Sequence, residues 1–597
     1  MNFMHCTVVL ALASGLTCAH GASAHRQFAP SPPMGWNSWD CFGTTLTERQ
    51  AKEQADAMAR HLRPYGWIYL TVDIQWYEPR AQGHTYREGA PLEMDEYSRL
   101  IPAVTKFPSA ANGVGFKALA DYVHSKGLKF GIHIMRGIPK QAVKQNTPLL
   151  GTSARAADIA NRHSTCPWNP DMFGVDMSKP GAQAYYDSLF ELYAAWGVDF
   201  VKVDDIARPY DDNQMAEIEA IRKAIDKTSR AIVLSLSPGD TPLDRGPHVM
   251  NHANMWRISD DFWDRWQPLY EMFGRLDRWT KYRAPGAWPD ADMLPLGILE
   301  FSRPTRFTRD EQRLCMTLWC IARSPLILGA DMTKLDEFTL SLLTNPEVLA
   351  VNQASMANRQ LSREADLIIW TAEVPESPDR YVAFFNAQGT SLPYDLSKAL
   401  YRSPVIRKDG EVADISVPLQ GGRKLALVVT DAGDNIFFDH ADWVEPVLTG
   451  PRGVLRLAGQ QWSLAKAGYG EVRANLTTEG KPILIDGRAV DGIGTHATSL
   501  IEFDIPEGYD TFKARGILSH SRPKKSGSIE FLVFTDAAKL DIPERRRMSV
   551  SLVDLGMSGG ARVRDLWTRQ DLGTFRGTFS AEIPLHGAGL FRLSPQP

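Results

Sequence analysis

Between residues 33 and 350 the chain alternates eight short apolar runs with longer segments of helical period, and no other feature limits its fold as much. The runs are MGWNSW (34–39), WIYLTVDIQW (67–76), KFGIHIM (129–135), DFVKVDD (199–205), IVLSLS (232–237), MWRISDD (255–261), WPDADML (288–294) and PLILG (325–329). Amphipathic stretches such as TERQAKEQADAMARHL and NQMAEIEAIRKAIDK separate them. Continuous apolar runs suit strands buried on both faces, and eight of them alternating with helices over about 320 residues match an α/β chain forming a (β/α)8 TIM barrel. After about residue 355 the texture changes to short β-like runs (DLIIWTAEV, RYVAFFNAQ, KLALVVTD, SIEFLVFTD) broken by Gly, Pro and Asp, which reads as β-sandwich material.

A 597-residue chain with 44% hydrophobic residues has ample material for such cores. The charge of −4, from 66 basic and 70 acidic residues, contains no long run of one sign, so neither nucleic acid nor a membrane surface is indicated as a partner. An uncharged apolar run at residues 6–18 precedes Ala22-Ser23-Ala24, the pattern of a cleaved export signal over residues 1–24. It predicts a periplasmic or extracellular protein, and no later stretch is long and apolar enough to span a bilayer. Cys41, Cys166, Cys315 and Cys320 remain after cleavage, too few and too scattered for a disulfide scaffold and without the His cluster of a metal site. Nothing about these cysteines indicates a metal site, and nothing in the sequence indicates an oligomeric state.

In a (β/α)8 barrel the chemistry sits at the C-terminal ends of the strands. Strand alternation groups Lys202 with Asp204 and leaves Asp205 with the valines; it groups Arg257 with Asp261 and leaves Asp260 opposite. Thr71, Asp73 and Gln75 share another face. Two carboxylates from different strands, each beside a cation, are what acid/base and nucleophilic glycoside hydrolysis requires. Solvated strand ends or helix caps would place acids there too.

Five separated motifs resolve the choice. PPMGWNSWDCFG, YLTVDIQW, the Lys-x-Asp of FVKVDD, WRISDD and WPDADMLPLG resemble, in matching order, glycoside hydrolase family 27, the α-galactosidase or melibiase family. The resemblance covers residues 30–355 and implies a retaining glycosidase without cofactor. It makes Asp204 the nucleophile and Asp261 the acid/base, with Asp260 as its rival through a one-residue slip, their carboxyl groups about 5 to 5.5 Å apart. It also assigns Trp36, Asp73, Lys202, Arg257, Asp292 and Met293 to the wall of a sugar pocket. Trp36 and Trp39 fall on opposite faces of one strand, so one of them packs behind the barrel.

Departures from the family pattern fall in the sugar contacts. Where the family has two adjacent acids after strand 2, this chain reads Asp73-Ile74. His133 stands at a usual aromatic position and is read as pocket-lining; Ser237 stands near the place of an acid; Ile206 replaces a frequent disulfide cysteine. The implied activity is an exo-acting α-galactosidase on terminal α-linked galactose. A β-L-arabinopyranosidase or isomaltodextranase of the same family, or a non-catalytic carbohydrate-binding barrel, is the alternative. The partner is an oligo- or polysaccharide.

In the β-rich half, residues 425–448 and 468–512, the latter with the hallmark GIGTHATS (492–499), resemble the NPCBM module, a carbohydrate-binding β-sandwich of secreted glycosidases. The expected organisation is a barrel at 25–355, a C-terminal antiparallel β-sandwich split into 356–400 and 546–597, and an inserted NPCBM-like module at 401–545. Trp443 and His496 are read as structural.

Overall fold

The computed structural model describes residues 24–389, 392–408, 410–433, 438–519 and 527–596. The export signal expected over residues 1–24 therefore falls, but for Ala24, outside the described residues. All eight apolar runs form strands: β1 (Met34–Asn37), β2 (Tyr69–Val72), β3 (Lys129–Met135), β4 (Phe200–Asp204), β5 (Val233–Leu236), β6 (Met255–Arg257), β7 (Trp288–Asp290) and β8 (Leu326–Leu328). They pair in parallel in the order β7-β6-β5-β4-β3-β2-β1-β8. A parallel bridge between Leu294 and Leu328, with the Leu294 amide 2.7 Å from the Ile327 carbonyl, joins the segment after β7 to β8 and closes the barrel.

The helices start where the sequence caps them. In α1 (Glu48–His61) and α4 (Asp212–Lys227), Thr47 with Gln50 and Asp211 with Gln214 form capping boxes, so orphan amides of each first turn find side-chain acceptors. Ala51, Gln54, Ala55 and Met58 then recur on one face of α1 and are buried. The layout continues with α2 (Lys117–Ser125) and α3 (Ala182–Trp196) ahead of α4, and α5 (Gly246–His252) after it. The opening residues of five strands, Tyr69, Phe200, Val233, Met255 and Trp288, form an apolar cluster. That layer plugs the N-terminal end of the barrel and leaves polar residues at the other.

The chain divides into two compact units. The first, which holds all eight strands, runs to Phe262 and adds Gly274–Thr305 and Trp319–Ser355. The second is Met356–Pro597 together with Trp263–Phe273 and Arg306–Leu318, two stretches that lie within the span expected for the barrel. In the second unit, strands Met356–Glu364, Leu367–Glu373 and Arg380–Asn386 share an antiparallel sheet with Gly587–Gln596, Gly560–Asp565 and Gln570–Arg576. The chain leaves this sheet after Asn386 and returns at Gly560. Between, two further sheets enclose a core of Trp443, Phe503, Phe512 and Phe531. Trp443 is fully buried with its ring 4.8 Å edge-on to Phe531, a core role.

Strand ends differ from expectation. β1 stops at Asn37 because the Asn37 side-chain oxygen accepts from the Trp39 amide at 2.9 Å, a turn that starts a short helix at Trp39. Trp39 therefore does not alternate with Trp36 on a strand. β4 stops at Asp204, and Asp205 takes a left-handed φ of 59°. β6 stops at Arg257. Parity counted through Asp205 and Asp261 thus runs beyond the strands. A small antiparallel sheet of Ile138–Pro139, Met172–Val175 and Ala160–Thr165 follows β3 and has no counterpart among the apolar runs.

Candidate active site

Four neighbouring strands bring a chain of alternating charges together. His133 lies opposite Lys202 and Met135 opposite Asp204 in the β3–β4 register. The His133 Nε2 is 3.0 Å from Asp204 Oδ2, and the Lys202 ammonium donates to Asp73 Oδ2 at 2.9 Å. Asn37 donates to the same Asp73 oxygen at 2.6 Å, and His133 Nε2 stands 4.0 Å from Asp73 Oδ1. Burial alone would raise the Asp204 pKa, but the His133 hydrogen bond and charge, then Lys202, hold it well below the usual carboxylate range. Asp73 is held low in the same way, its burial outweighed by Lys202 and His133.

Arg257 organises the other side. It donates to Asp292 at 2.7 Å through Nη1 and to Asp261 at 3.2 Å through Nη2. Asp292, in a left-handed conformation with φ of 79°, accepts from the Phe262 amide at 2.7 Å, tying the end of β7 to the segment after Asp261. Asp261 is 54% exposed, while the buried Asp292 is pushed up to about 7 by burial against Arg257, with Asp261 and Asp290 adding to the rise. Asp260 turns away and pairs with Arg208 at 2.7 Å. The two adjacent acids are thus separated by their guanidinium partners.

Asp205 behaves unlike its neighbour. It pairs with Arg136 at 3.0 Å, and Arg136 also holds Glu217 at 2.9 Å. Burial pushes Asp205 up to about 6 against Arg136, with the Asp204 charge adding to the rise. Neighbouring acids with pKa values driven apart mark separate roles, one anion at the strand end and one acid in a supporting network.

Trp36, Ser237 and Met293 are all buried; the Trp36 indole donates to the Ala330 carbonyl at 2.7 Å and Ser237 closes β5. Gly239, just beyond, has no room for a side chain, since a Cβ there would lie 2.2 Å from the Ser259 carbonyl oxygen. Several participants carry no sequence signal. Arg136, Asp205, Arg208 and Trp168 line a cleft of about 180 Å³. Tyr86 stacks on Trp39 at 6.2 Å and 9° and meets Trp168 at 5.7 Å. Arg136, Arg208, Tyr86 and Trp168 sit in connections without periodicity, whereas Asp205 and Trp39 lie in the FVKVDD and PPMGWNSWDCFG motifs and have a signal. Asn37 carries one too, since it lies inside the PPMGWNSWDCFG motif and its amide suits a carboxylate such as Asp73. At these strand ends no three metal-ligating side chains converge among the described residues.

A barrel whose strand ends carry carboxylates beside Lys202 and Arg257 has the layout of a glycosidase. Comparison with known proteins narrows this. The family model "Alpha galactosidase A" matches residues 171–354, the NPCBM/NEW2 domain matches 394–449 and 453–553, and the "Alpha galactosidase C-terminal beta sandwich domain" matches 520–593. Alpha-galactosidase 2 of Arabidopsis thaliana is 30% identical over 345 residues, 57% of this chain and 72% of its own. Alpha-galactosidase A of Cellvibrio japonicus is 30% identical over 403 residues, 64% of this chain and 83% of its own. The crystal structure of a β-L-arabinopyranosidase of family 27 from Geobacillus stearothermophilus is 41% identical with a TM-score of 0.69, covering 96% of this chain and 99% of that one. The chain belongs to glycoside hydrolase family 27.

Proposed function

We propose that the protein is an exo-acting retaining glycosidase that removes terminal β-L-arabinopyranosyl units, with Asp204 as nucleophile and Asp261 as acid/base. The observation that carries the choice of sugar is Ile74. β-L-Arabinopyranose and α-D-galactopyranose share ring and anomeric configuration and differ by one hydroxymethyl group. Ile74, 2% exposed, stands where the family resemblance places a second hydroxyl-binding acid, and an apolar side chain there offers that hydroxymethyl no acceptor. Likeness over nearly the whole chain to the G. stearothermophilus β-L-arabinopyranosidase supports the same reading. An α-galactosidase is the second reading, favoured by the α-galactosidase relatives and by Asp73 gripped by Lys202.

In the first step an Asp204 oxygen bonds to the anomeric carbon while the glycosidic oxygen departs with a proton from Asp261. In the second, Asp261 takes a proton from water, whose oxygen attacks the same carbon and releases Asp204. Two inversions give net retention. The low Asp204 pKa supports the nucleophile's charge, and the exposure of Asp261 supports contact with leaving group and water. The apolar run at residues 6–18 before Ala22-Ser23-Ala24 supports export, and the NPCBM match supports anchoring on a polysaccharide that raises local enzyme concentration.

The test is turnover of aryl β-L-arabinopyranoside, α-D-galactopyranoside, α-N-acetylgalactosaminide and α-glucoside by wild type and Asp204→Asn. The arabinopyranoside is expected to be the best substrate, and the variant to lose activity by about 10³-fold or more. No turnover of any substrate would end the enzyme reading; an undiminished variant would end the nucleophile assignment.

A further inference from the structure

On the outside of the barrel, α4 and α5 bring together three side chains that the glycosidase chemistry does not use. Glu219 lies on α4; His248 and His252 lie one turn apart on α5. One ligand atom from each falls within 4.8 Å of the others. His248 Nε2 is 3.2 Å from Glu219 Oε1, and the imidazole centroids are 4.3 Å apart. A tetrahedral zinc site with bonds of about 2.0–2.2 Å has ligand edges of about 3.3 Å, so one edge is already formed and side-chain rotation suffices for the others.

Both imidazoles are oriented by their second nitrogen. His252 Nδ1 donates to the His248 carbonyl at 2.7 Å, which leaves the lone pair on Nε2. His248 Nδ1 lies 3.0 Å from the Tyr210 hydroxyl, which can accept from an Nδ1–H when Nε2 binds a metal. A metal-ligating histidine is held in this way, its far nitrogen bonded to a carbonyl or hydroxyl. Glu219 is exposed and the two histidines half-buried, which gives an ion an entry path and leaves a position for water.

We propose that Glu219, His248 and His252 bind one divalent transition-metal ion, zinc by preference, that clamps α4 to α5. Two nitrogens and one carboxylate favour zinc, cobalt or nickel over magnesium or calcium. Spacing along the sequence does not show the site, because 29 residues separate Glu219 from His248 and only the fold closes the gap.

The test uses tag-free, chelator-dialysed full-length protein titrated with zinc chloride by calorimetry, and with magnesium chloride as control. One zinc per chain is expected, with no magnesium binding and a Tm raised by about 3 °C at saturation. The double variant His248→Ala/His252→Ala should lose the zinc heat and the Tm gain while its aryl-glycosidase activity matches wild type. Should that variant fold poorly, Glu219→Gln, at an exposed position, is expected to weaken binding at least tenfold. Absence of saturable zinc binding in wild type, or undiminished binding in the variants, would overturn the proposal.

Discussion

Replacing Ile74 by aspartate tests how this pocket chooses its sugar. An apolar pocket rejects a substrate that merely adds a hydroxyl by only about 10²-fold, because the hydroxyl loses water without leaving a buried protein group unpaired. Wild type should therefore prefer the arabinopyranoside to the galactoside by about 10- to 100-fold in kcat/KM, or roughly 1.4–2.7 kcal/mol. A carboxylate at residue 74 would stand next to Asp73, whose charge is already matched by Lys202 at 2.9 Å and by the Asn37 amide at 2.6 Å. A hydrogen bond from a substrate hydroxyl to a charged acceptor contributes about 1.5–3 kcal/mol. The galactoside should gain about 10- to 100-fold from it. The arabinopyranoside, having no hydroxymethyl, leaves the new carboxylate unpaired and should lose. The expected swing in the ratio is at least about tenfold. The assay is kcat/KM for 4-nitrophenyl β-L-arabinopyranoside and α-D-galactopyranoside on both proteins, with Tm recorded to show that Ile74→Asp is folded. A folded variant with an unchanged ratio would refute the role given to Ile74, and so would a wild type that prefers the galactoside.

Three further outcomes are expected. Asp261→Asn should lose activity on a disaccharide yet keep much of its glycosylation rate on a dinitrophenyl glycoside and respond to azide, whereas Asp260→Asn should change kcat less than about tenfold; the reverse pattern would exchange their roles. His133→Ala removes the 3.0 Å contact to Asp204, so the Asp204 pKa should rise from its depressed value toward the usual carboxylate range and bring into a pH 3–7 profile of kcat/KM an acid limb that wild type does not show there; an unchanged profile would contradict the role given to His133. Asp442 is 2% exposed, and burial raises its pKa from 3.8 to about 7. With the folded value raised, the stability this group contributes is present below about pH 4 and lost as pH rises to about 7, by at most roughly 4 kcal/mol. Asp442→Asn should therefore raise Tm at pH 8, with the gain closing toward pH 4, and a pH-independent gain would contradict the burial argument.

The barrel is legible in the sequence because parallel strands buried on both faces leave apolar runs that little else produces, and all eight runs form strands. The exact ends are not. Strands of three to five residues such as β4 and β6 stop at local turns, and period-two counting carries no notice of the Asn37 side chain capping a turn or of the left-handed Asp205. Counting past those ends still groups Lys202 with Asp204 and Arg257 with Asp261. The structure shows other causes for the separation of the paired acids: Asp205 is drawn to Arg136 and Asp260 to Arg208. Both arginines follow strands in stretches without pattern. The small sheet after β3 escapes a reading by apolar runs because its strand Ala160–Thr165 is polar and without a buried residue.

The charge balance at the strand ends bears on the chemistry itself. Asp73, Asp204, Asp261 and Asp292 surround two permanent cations, Lys202 and Arg257, with His133 as the remaining partner. Each cation is already engaged with a carboxylate at 2.7–2.9 Å. A substrate therefore meets charged groups held in place before it arrives, with Asp204 kept ionised by His133 and Lys202. Glycosyl transfer passes through an oxocarbenium-like state in which positive charge grows on the anomeric carbon and ring oxygen. Groups fixed in advance, in a site sheltered from water, stabilise that charge without having to reorganise as it forms. The proposed function places the specificity and the bond chemistry on different residues. On that reading the Lys202–Asp204 end of β4 and its partners, Asp73 among them, supply the field that any family substrate would need, and Ile74 beyond β2 decides which sugar is held there. A change of sugar is thus open to substitution at residue 74 without disturbing the carboxylates that break the bond.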